Sequence, residues 1–259
     1  MPIDTALVGA LHVDYIGKTD LAEDHPLHHT LFQTSTIDAL LDGNYDGDVS
    51  FAALRERGDF GLGTLDALDG EMISLDGSFY QIRSDGAAYP IDGRTKTPFA
   101  VVTFFEPNLS RTLDGTDLVG LCARVDRLFD ASVCCAVRVD GRFEYVKTRS
   151  VPRQHKPYPP LVEVVKNQPV FELRDLRGSL VGFRFPDYAQ GLNVSGYHFH
   201  FISADRSSGG HVLECRLTEG ELRIDREADL RVELPPDVIL PTPDQISSKR
   251  DTIDRIEKG

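Results

Sequence analysis

The chain contains the stretch Ser195-Gly196-Tyr197-His198-Phe199-His200-Phe201, followed after a polar loop by Gly209-Gly210-His211. Aromatic residues at alternating positions are typical of a β-strand, on which residues two apart point to the same face. The glycines and polar residues between the two stretches predict a turn, and residues 211–217 predict a returning strand. Such a hairpin can bring the imidazole of His211 beside those of His198 and His200.

Three imidazoles on one face of a rigid sheet form a zinc site with an open coordination position, which is the arrangement of catalytic rather than structural zinc. We therefore predict that His198, His200 and His211 bind Zn²⁺. The same ligands also suit other first-row metal ions. The alternative is a strand that carries histidines without binding a metal.

The composition limits the class of protein. The chain has 259 residues and a formal net charge of −13, from 41 acidic and 28 basic residues. Because so acidic a chain is repelled by phosphate backbones, we expect no nucleic-acid partner. The longest apolar runs are too short for a membrane span, and Asp4 rather than a basic segment precedes the apolar run from Ala6 to Val13. We therefore expect a soluble globular protein with no membrane association and no signal peptide.

The cysteines indicate a reducing compartment. They are Cys122, Cys134, Cys135 and Cys215, they lie in apolar segments, and they form no C-x-x-C motif. Adjacent residues on a strand face opposite ways, so Cys134 and Cys135 cannot easily bridge. Reduced, buried thiols are the interpretation that we adopt, and they favour a cytoplasmic location.

The secondary-structure pattern is mixed α and β. Capping residues before apolar periodicity predict helices that run through Leu41, over residues 51–57, from Asp114 or Thr116 to Phe129, and from Pro160 to about Asn167. Alternating or apolar runs predict strands at residues 71–75, 78–83, 99–105, 134–139, 142–151, 170–173, 178–183, 221–224 and 230–234. Asp-Gly at residues 76–77 and again at 140–141 predicts two hairpin turns.

Proline and polar residues cluster from Pro152 to Pro160. Such a cluster predicts a boundary between an N-terminal mixed-sheet subdomain, residues 1–155, and a C-terminal sheet subdomain, residues 156–234, which carries the three histidines. The polar, proline-containing segment 235–259 is typical of an extended tail.

Several characteristic blocks of sequence, each present once, follow one another between about Thr30 and Leu217. Besides the histidine stretches they are Leu40-Leu41-Asp42-Gly43-Asn44-Tyr45-Asp46-Gly47, Gly58-Asp59-Phe60-Gly61-Leu62-Gly63-Thr64, Leu68-Asp69-Gly70-Glu71 and Lys147-Thr148-Arg149-Ser150-Val151. In content and spacing these blocks resemble the alpha-acetolactate decarboxylase family. The resemblance covers most of the chain.

The resemblance implies an α/β (mixed α+β) protein, one decarboxylase domain overall, with two subdomains built on large mixed, mainly antiparallel β-sheets and a few helices. It also implies a homodimer and the zinc-dependent release of CO2 and acetoin from 2-acetolactate. Carried over by position, it makes His198, His200 and His211 the zinc ligands. Glu71, Arg149 and Glu257 match the family's catalytic acidic and basic positions, and Thr64 matches a substrate-binding one. The match of Glu257 depends on the ending Ile256-Glu257 alone, and Asp254 is the neighbouring candidate.

The chemistry of 2-acetolactate decarboxylation suggests a role for each of these residues. Loss of CO2 from a β-keto acid leaves an electron pair that must enter an enediolate, and a Lewis-acidic metal at the ketone oxygen stabilises that charge. Arginine can hold a carboxylate bidentately, so Arg149 is the candidate for orienting the substrate's carboxylate. Glu71 or Glu257 can supply the proton to carbon if burial or a like charge raises its pKa.

Simpler interpretations of the same residues stay open. Glu71 could be an ordinary surface acid, Arg149 a solvated strand residue, Thr64 a strand former and Glu257 part of a disordered end. Two other functions also stay open. One is a different zinc lyase or hydrolase that activates water, and the other is a binding module without catalysis.

The remaining sequence features give no second site. His25, His28 and His29 lie in a polar segment with Pro26, which predicts a solvated loop. The glycines of residues 58–63 lack the phosphate-loop pattern, so we expect no nucleotide.

Overall fold

The computed structural model describes residues 12–16, 28–235, 249, 252, 253 and 256. Within them lie fifteen strands: β1 His12–Ile16, β2 Thr30–Thr34, β3 Val49–Ser50, β4 Phe60–Thr64, β5 Glu71–Leu75, β6 Ser78–Ile82, β7 Ala88–Pro90, β8 Lys96–Thr97, β9 Ala100–Thr103, β10 Leu109–Asp117, β11 Cys134–Arg149, β12 Val170–Phe185, β13 Gly196–Ser203, β14 Gly209–Glu227 and β15 Asp229–Glu233. The helices are α1 Ile37–Leu41, α2 Phe51–Arg55, α3 Leu118–Asp126 and α4 Leu161–Val164, with 3-10 turns at Asp66–Leu68, Val165–Asn167 and Asp187–Ala189. The predicted mixed α+β class is confirmed. Among the described residues no helix has the length and apolar character needed to cross a bilayer.

Two large sheets make up most of the protein. The first has the strand order β1-β15-β2-β9-β4-β5-β6-β7, with β15 parallel to both of its neighbours and the other pairs antiparallel. The second has the order β10-β14-β11-β12-β13 and is antiparallel throughout. Its last strand, β13, also pairs with the start of β14. Strands β14, β11, β12 and β13 therefore form a closed ring, and β3 pairs with β8 separately.

Apolar side chains join the first sheet to the ring. Phe60 of β4 and Phe183 of β12 pack edge to face with ring centroids 5.8 Å apart, and both are buried. Leu62, Ile73, Val181 and Ile202 belong to the same cluster. A second cluster lies between the ring and α3. Because both faces of the ring strands are covered along much of their length, the strands hold fixed positions relative to the first sheet.

The predicted helix caps are confirmed at α1 and α2, where the hydroxyls of Thr36 and Ser50 accept hydrogen bonds from the backbone of Ala39 and Ala53. Helix α3 is shorter than predicted. Residues 109–117 pair with β14 instead of joining the helix, and the carboxylate of Asp117 caps α3 by accepting from Gly120 N at 2.7 Å.

The second predicted Asp-Gly turn is wrong. At Asp76-Gly77 both residues have positive φ, 52° and 74°, as a two-residue hairpin turn requires. Asp140 and Gly141 instead lie in the middle of the continuous strand β11, paired on one side with β12 and on the other with β14. The Asp140 carboxylate accepts hydrogen bonds from Arg138 Nε at 2.7 Å and Ser179 Oγ at 2.6 Å. The backbone of residues 134–149 pairs with strands on both sides, so its N–H and C=O groups find hydrogen-bond partners there. The local preference of Asp140-Gly141 for a turn therefore does not decide the structure of this segment.

The predicted subdomain boundary does not coincide with the sheets. Strands β10 and β11 precede residue 155, yet they pair with strands that follow it. The chain then returns to the first sheet through β15. The division into residues 1–155 and 156–234 stays a prediction.

The described residues of the tail are packed rather than extended. Lys249, Thr252, Ile253 and Ile256 are helical, and both isoleucines are buried in a cluster with residues of α1 and α4. The ammonium group of Lys249 lies 2.8 Å from a carboxylate oxygen of Asp42, just after α1. Proline content in the tail therefore did not prevent Ile253 and Ile256 from packing.

Glycine at position 141 is required by a close approach of strands. A Cβ there would lie 2.4 Å from the Glu219 carbonyl oxygen and 2.7 Å from Leu217 Cδ1. We expect Gly141→Ala to lower the free energy of unfolding by about 1–3 kcal/mol, as overpacking does. The control is Gly115→Ala on the exposed strand β10, where the nearest atom would be 3.5 Å away, with an expected change within about 0.5 kcal/mol. Urea unfolding of both variants measures the difference, and equal stabilities would contradict this account.

Candidate metal centre

Three imidazoles meet at the end of the ring, as the sequence predicts. His200 of β13 pairs directly with His211 of β14, and His198 lies two residues along β13 on the same face. His198 Nε2 lies 3.2 Å from His200 Nε2 and 3.0 Å from His211 Nδ1. All three ligand nitrogens lie within 4.8 Å of one another. The hairpin thus brings three histidines that are separated in sequence close enough for their nitrogens to form one cluster.

Two glycines allow this hairpin to close. A Cβ at Gly209 would lie 2.2 Å from the Phe201 carbonyl oxygen, and one at Gly210 would lie 2.5 Å from that of Arg149. Gly210 also has φ +141°, which L side chains rarely adopt. The connecting turn is held by Ser203 Oγ, which accepts from the backbone N–H groups of Ser207 and Ser208. Close backbone approach therefore places His211 opposite His200.

The imidazoles of His198 and His200 are neutral at ordinary pH. Burial, with a contribution from the positive charge of Arg149, lowers the pKa of His198 to about 3. Burial lowers the pKa of His200 well below its usual value. His200 Nδ1 lies 2.9 Å from the Met72 carbonyl oxygen of β5, to which it can only donate. The lone pair of His200 Nε2 therefore points into the cluster.

This donor set fits a transition-metal ion. Zinc–imidazole bonds of about 2.0–2.1 Å place tetrahedral ligand nitrogens about 3.4 Å apart. The two separations at His198, 3.2 and 3.0 Å, are close to that value. When neutral imidazole nitrogens face one another, their lone pairs repel. A cation bound between them removes this repulsion, because each lone pair then coordinates the ion. Within the described ranges, these histidines are the one group of three or more potential ligands close enough to share an ion.

The first sheet contributes Glu71 and Thr64 to the same place. Glu71 begins β5 opposite Thr64, the last residue of β4. A Glu71 carboxylate oxygen lies 3.6 Å from His200 Nε2, so the carboxylate borders the ligand cluster. The Thr64 hydroxyl donates a 2.7 Å hydrogen bond to the Gly70 carbonyl, which closes the loop between the strands. Both residues are at most 9% exposed, so Glu71 is not an ordinary surface acid.

The ring contributes Arg149, which ends β11 and pairs with His211. The residue is buried, with 3% of its surface exposed. Its Nη1 donates a 2.7 Å hydrogen bond to the side-chain oxygen of Gln168, at the end of the 3-10 turn Val165–Asn167. The alternative of a solvated strand residue is therefore wrong for Arg149.

One cavity brings these groups together. Its polar side consists of Thr64, Glu71, Arg149, His198 and His211. Its apolar side comes from α1, α4, the tail and the loops between strands: Ile37, Leu40, Leu68, Phe99, Val151, Leu161 and Ile256. A cavity with an apolar wall facing a cluster of cationic, carboxylate and imidazole groups suits a small polar ligand.

The structure therefore brings the described predicted site residues together: Thr64, Glu71, Arg149, His198 and His211 line one cavity, and His200 adjoins it through the ligand cluster. Their roles stay predictions. Glu257 and Asp254 lie outside the described residues. Pattern analysis missed Gln168 and the Met72 carbonyl, because neither a single glutamine nor a backbone group gives a signal in the sequence. It also missed Ile256, since a lone isoleucine in a polar tail gives no periodicity.

Among the side chains that the structure describes, the other histidines and the cysteines take no part in the cluster. His28 is exposed beside Glu106, as predicted for a loop, whereas His29 is half-buried against the buried carboxylate of Asp225. His25 lies outside the described residues. All four cysteines are free, three are buried and Cys122 is half-buried. Burial raises the pKa values of Cys122, Cys135 and Cys215 to about 12, so these groups are thiols rather than nucleophilic thiolates.

The fold and the site define a class of protein. Its members have two large β-sheets and a buried cluster of three histidines that can hold a metal ion. The family model for alpha-acetolactate decarboxylase matches residues 31–239. The chain therefore belongs to the alpha-acetolactate decarboxylase family, and the predictions of the family and of a carboxy-lyase enzyme class are confirmed.

Individual relatives agree over most of their length. The alpha-acetolactate decarboxylase of Methylococcus capsulatus is 51% identical over 240 residues, which cover 91% of each chain. That of Methanosarcina mazei is 49% identical over 79% of this chain and 72% of its own. The crystal structure of alpha-acetolactate decarboxylase from Bacillus subtilis strain 168 matches with a TM-score of 0.84 at 39% identity, over 89% of this chain and all of that one.

Loss of one ligand tests the metal centre directly. We expect the purified protein to bind one zinc ion per chain and His200→Ala to bind at least about tenfold more weakly, because two imidazoles remain. His155→Ala is the matched control, since His155 is exposed and far from the cluster in sequence. Elemental analysis after dialysis against limiting zinc gives the stoichiometry. Equal zinc content in the two variants would show that the cluster is not the binding site.

Proposed function

We propose that this protein catalyses the decarboxylation of 2-acetolactate to acetoin and CO2, with a zinc ion held by His198, His200 and His211. One observation carries the proposal: His198, His211, Arg149 and Glu71 line one cavity, and His200 Nε2 lies 3.2 Å from His198 Nε2 and 3.6 Å from a Glu71 carboxylate oxygen. Membership of the family supports the choice of substrate.

The three protein ligands of the zinc ion would be neutral imidazoles. Because they carry no negative charge, the ion would keep its full double positive charge. When bound, it supplies a Lewis acid for the oxygen on which negative charge develops as CO2 leaves. The hydrogen bond from His200 Nδ1 to Met72 keeps the Nε2 lone pair available and fixes the plane of the ring.

Arg149 is the proposed group that binds the substrate's carboxylate. A guanidinium forms two parallel hydrogen bonds to a carboxylate, which fixes the carboxylate plane as well as its position. The bond that breaks joins the carboxylate carbon to the carbon that bears the hydroxyl. Holding this bond perpendicular to the plane of the adjacent ketone lets its electron pair pass into the ketone and form an enediolate.

Glu71 is the proposed proton donor or acceptor. After CO2 leaves, the enediolate takes one proton at the carbon that bears the hydroxyl, and acetoin results. Glu71 is buried at the edge of the ligand cluster, where a carboxyl group can reach that carbon. Thr64, opposite Glu71, is proposed to contact the substrate. Glu257, which lies outside the described part of the chain, is proposed as a second catalytic carboxylate.

The apolar side of the cavity has a proposed task as well. Residues such as Leu40, Phe99 and Leu161 exclude water from one side of the reacting carbon. Exclusion of water strengthens the electrostatic interactions within the cavity and leaves a protein carboxyl as the proton source. Protonation from one side would give acetoin of a single configuration.

Location and assembly complete the proposal. A cytoplasmic location is supported by four cysteines that are all free. A homodimer is supported by the resemblance to the family.

Removal of the metal tests the function. We expect the protein to form acetoin from 2-acetolactate well above the spontaneous rate, to lose this activity on treatment with a chelator, and to regain it with added zinc. Acetoin is measured against a control without protein, because 2-acetolactate also decarboxylates spontaneously. Equal acetoin yields with and without protein would refute the proposed function.

Arginine at position 149 should not be replaceable by lysine. An ammonium keeps the charge but lacks the bidentate geometry, so we expect Arg149→Lys to lower kcat/KM by about 10²-fold. Arg142→Lys on the same strand is the control, since Arg142 is exposed and lies away from the cavity. Steady-state kinetics with both variants measures the effect, and a change of less than about twofold for Arg149→Lys would remove Arg149 from the proposed mechanism.

A further inference from the structure

We propose that Gln168 is a positioning residue that orients the Arg149 guanidinium for the substrate's carboxylate, an inference that rests on the proposed function. The side-chain oxygen of Gln168 accepts a hydrogen bond from Arg149 Nη1 at 2.7 Å. Gln168 does not line the cavity, so it acts on the substrate only through the arginine.

The segment that carries Gln168 is held firmly. Leu161 and Val164 of α4 are buried in a cluster with Val151, two residues after Arg149. The backbone N–H of Ser150 donates a 3.2 Å hydrogen bond to the Pro169 carbonyl, so residues next to Arg149 and next to Gln168 are joined directly. The backbone positions of the two partners are thus fixed relative to one another.

A fixed acceptor reduces the freedom of a long side chain. Arginine loses rotamer entropy when it is immobilised, and a partner that holds it in advance removes part of that cost from substrate binding. With Nη1 held by Gln168, the guanidinium plane is set before the substrate arrives. Arg149 lines the cavity, so the orientation of its guanidinium plane bears directly on how a carboxylate there is held.

The amide is also the appropriate acceptor chemically. An aspartate or glutamate at this position would accept the same hydrogen bond but would add a negative charge beside the site for a carboxylate. That charge would repel the substrate's carboxylate and compete for the guanidinium. A neutral carbonyl oxygen orients Arg149 without adding charge.

Binding of two small probes separates positioning from mere structural support. 2-Hydroxy-2-methylpropanoate has the hydroxyl and carboxylate of the substrate, whereas acetoin has the hydroxyl and ketone but no carboxylate. In zinc-loaded protein we expect Gln168→Met to raise the Kd of 2-hydroxy-2-methylpropanoate about tenfold, the usual effect of losing a hydrogen bond to a charged group. The Kd of acetoin should stay within about twofold, because its binding does not use Arg149.

Two further variants complete the experiment. Gln168→Glu keeps an acceptor for Arg149 but adds charge, so it should weaken binding of the carboxylate probe at least as much and serves if the methionine variant does not fold. Gln154→Met is the matched control. Gln154 is half-buried in the preceding loop, donates a 2.7 Å hydrogen bond to the Pro152 carbonyl, and does not line the cavity. Its substitution should change neither Kd.

Isothermal titration calorimetry gives both constants, with melting temperature and zinc content measured on the same samples. The proposal is overturned if Gln168→Met and Gln168→Glu leave the Kd of the carboxylate probe unchanged, or if they weaken both probes equally. Failure of the proposed function has a different signature: wild-type protein that gives no acetoin from 2-acetolactate, whatever the probes show.

Discussion

The site depends on the hydrogen bond from His200 Nδ1 to the Met72 carbonyl, which crosses from the ring to the first sheet. It assigns the proton of His200 to Nδ1 and so leaves the Nε2 lone pair for a metal ion. Met72 directly follows Glu71, so the strand that accepts the bond also places the carboxylate 3.6 Å from Nε2. Tautomer, ring orientation and carboxylate position thus follow from the packing of one sheet on the other.

The pairing register of strands β13, β14 and β11 places the other polar residues of the site. His200, His211 and Arg149 lie opposite one another across β13, β14 and β11, and directly opposed residues share a face. Because His198 and His200 are themselves buried, their pKa values are lowered, and these two imidazoles stay neutral as metal binding requires. Burial of the Arg149 cation is costly unless its N–H groups find acceptors, and Gln168 provides one.

The two Asp-Gly pairs show where local preference stops deciding structure. At Asp76-Gly77 the flanking strands pair with each other, so the turn preference and the sheet agree. At Asp140-Gly141 the flanking residues find better partners in β12 and β14, which were invisible to a local pattern. The same limit applies to the tail, where Ile253 and Ile256 are buried in a cluster with residues that lie far away in the chain, including Ile37 and Leu40 of α1.

By itself the sequence determined the elements that local chemistry controls. The alternation around His198 and His200, the glycines before His211 and the capping residues of α1 and α2 each fix a short segment, because their preferences act within a few residues. Tertiary structure alone decided which strands close the ring and which carbonyl orients His200. It also decided that Gln168 meets Arg149 and that Ile256 of the tail lines the cavity. These contacts join residues distant in sequence, and their free energy comes from burial and register across two sheets, which no short pattern encodes.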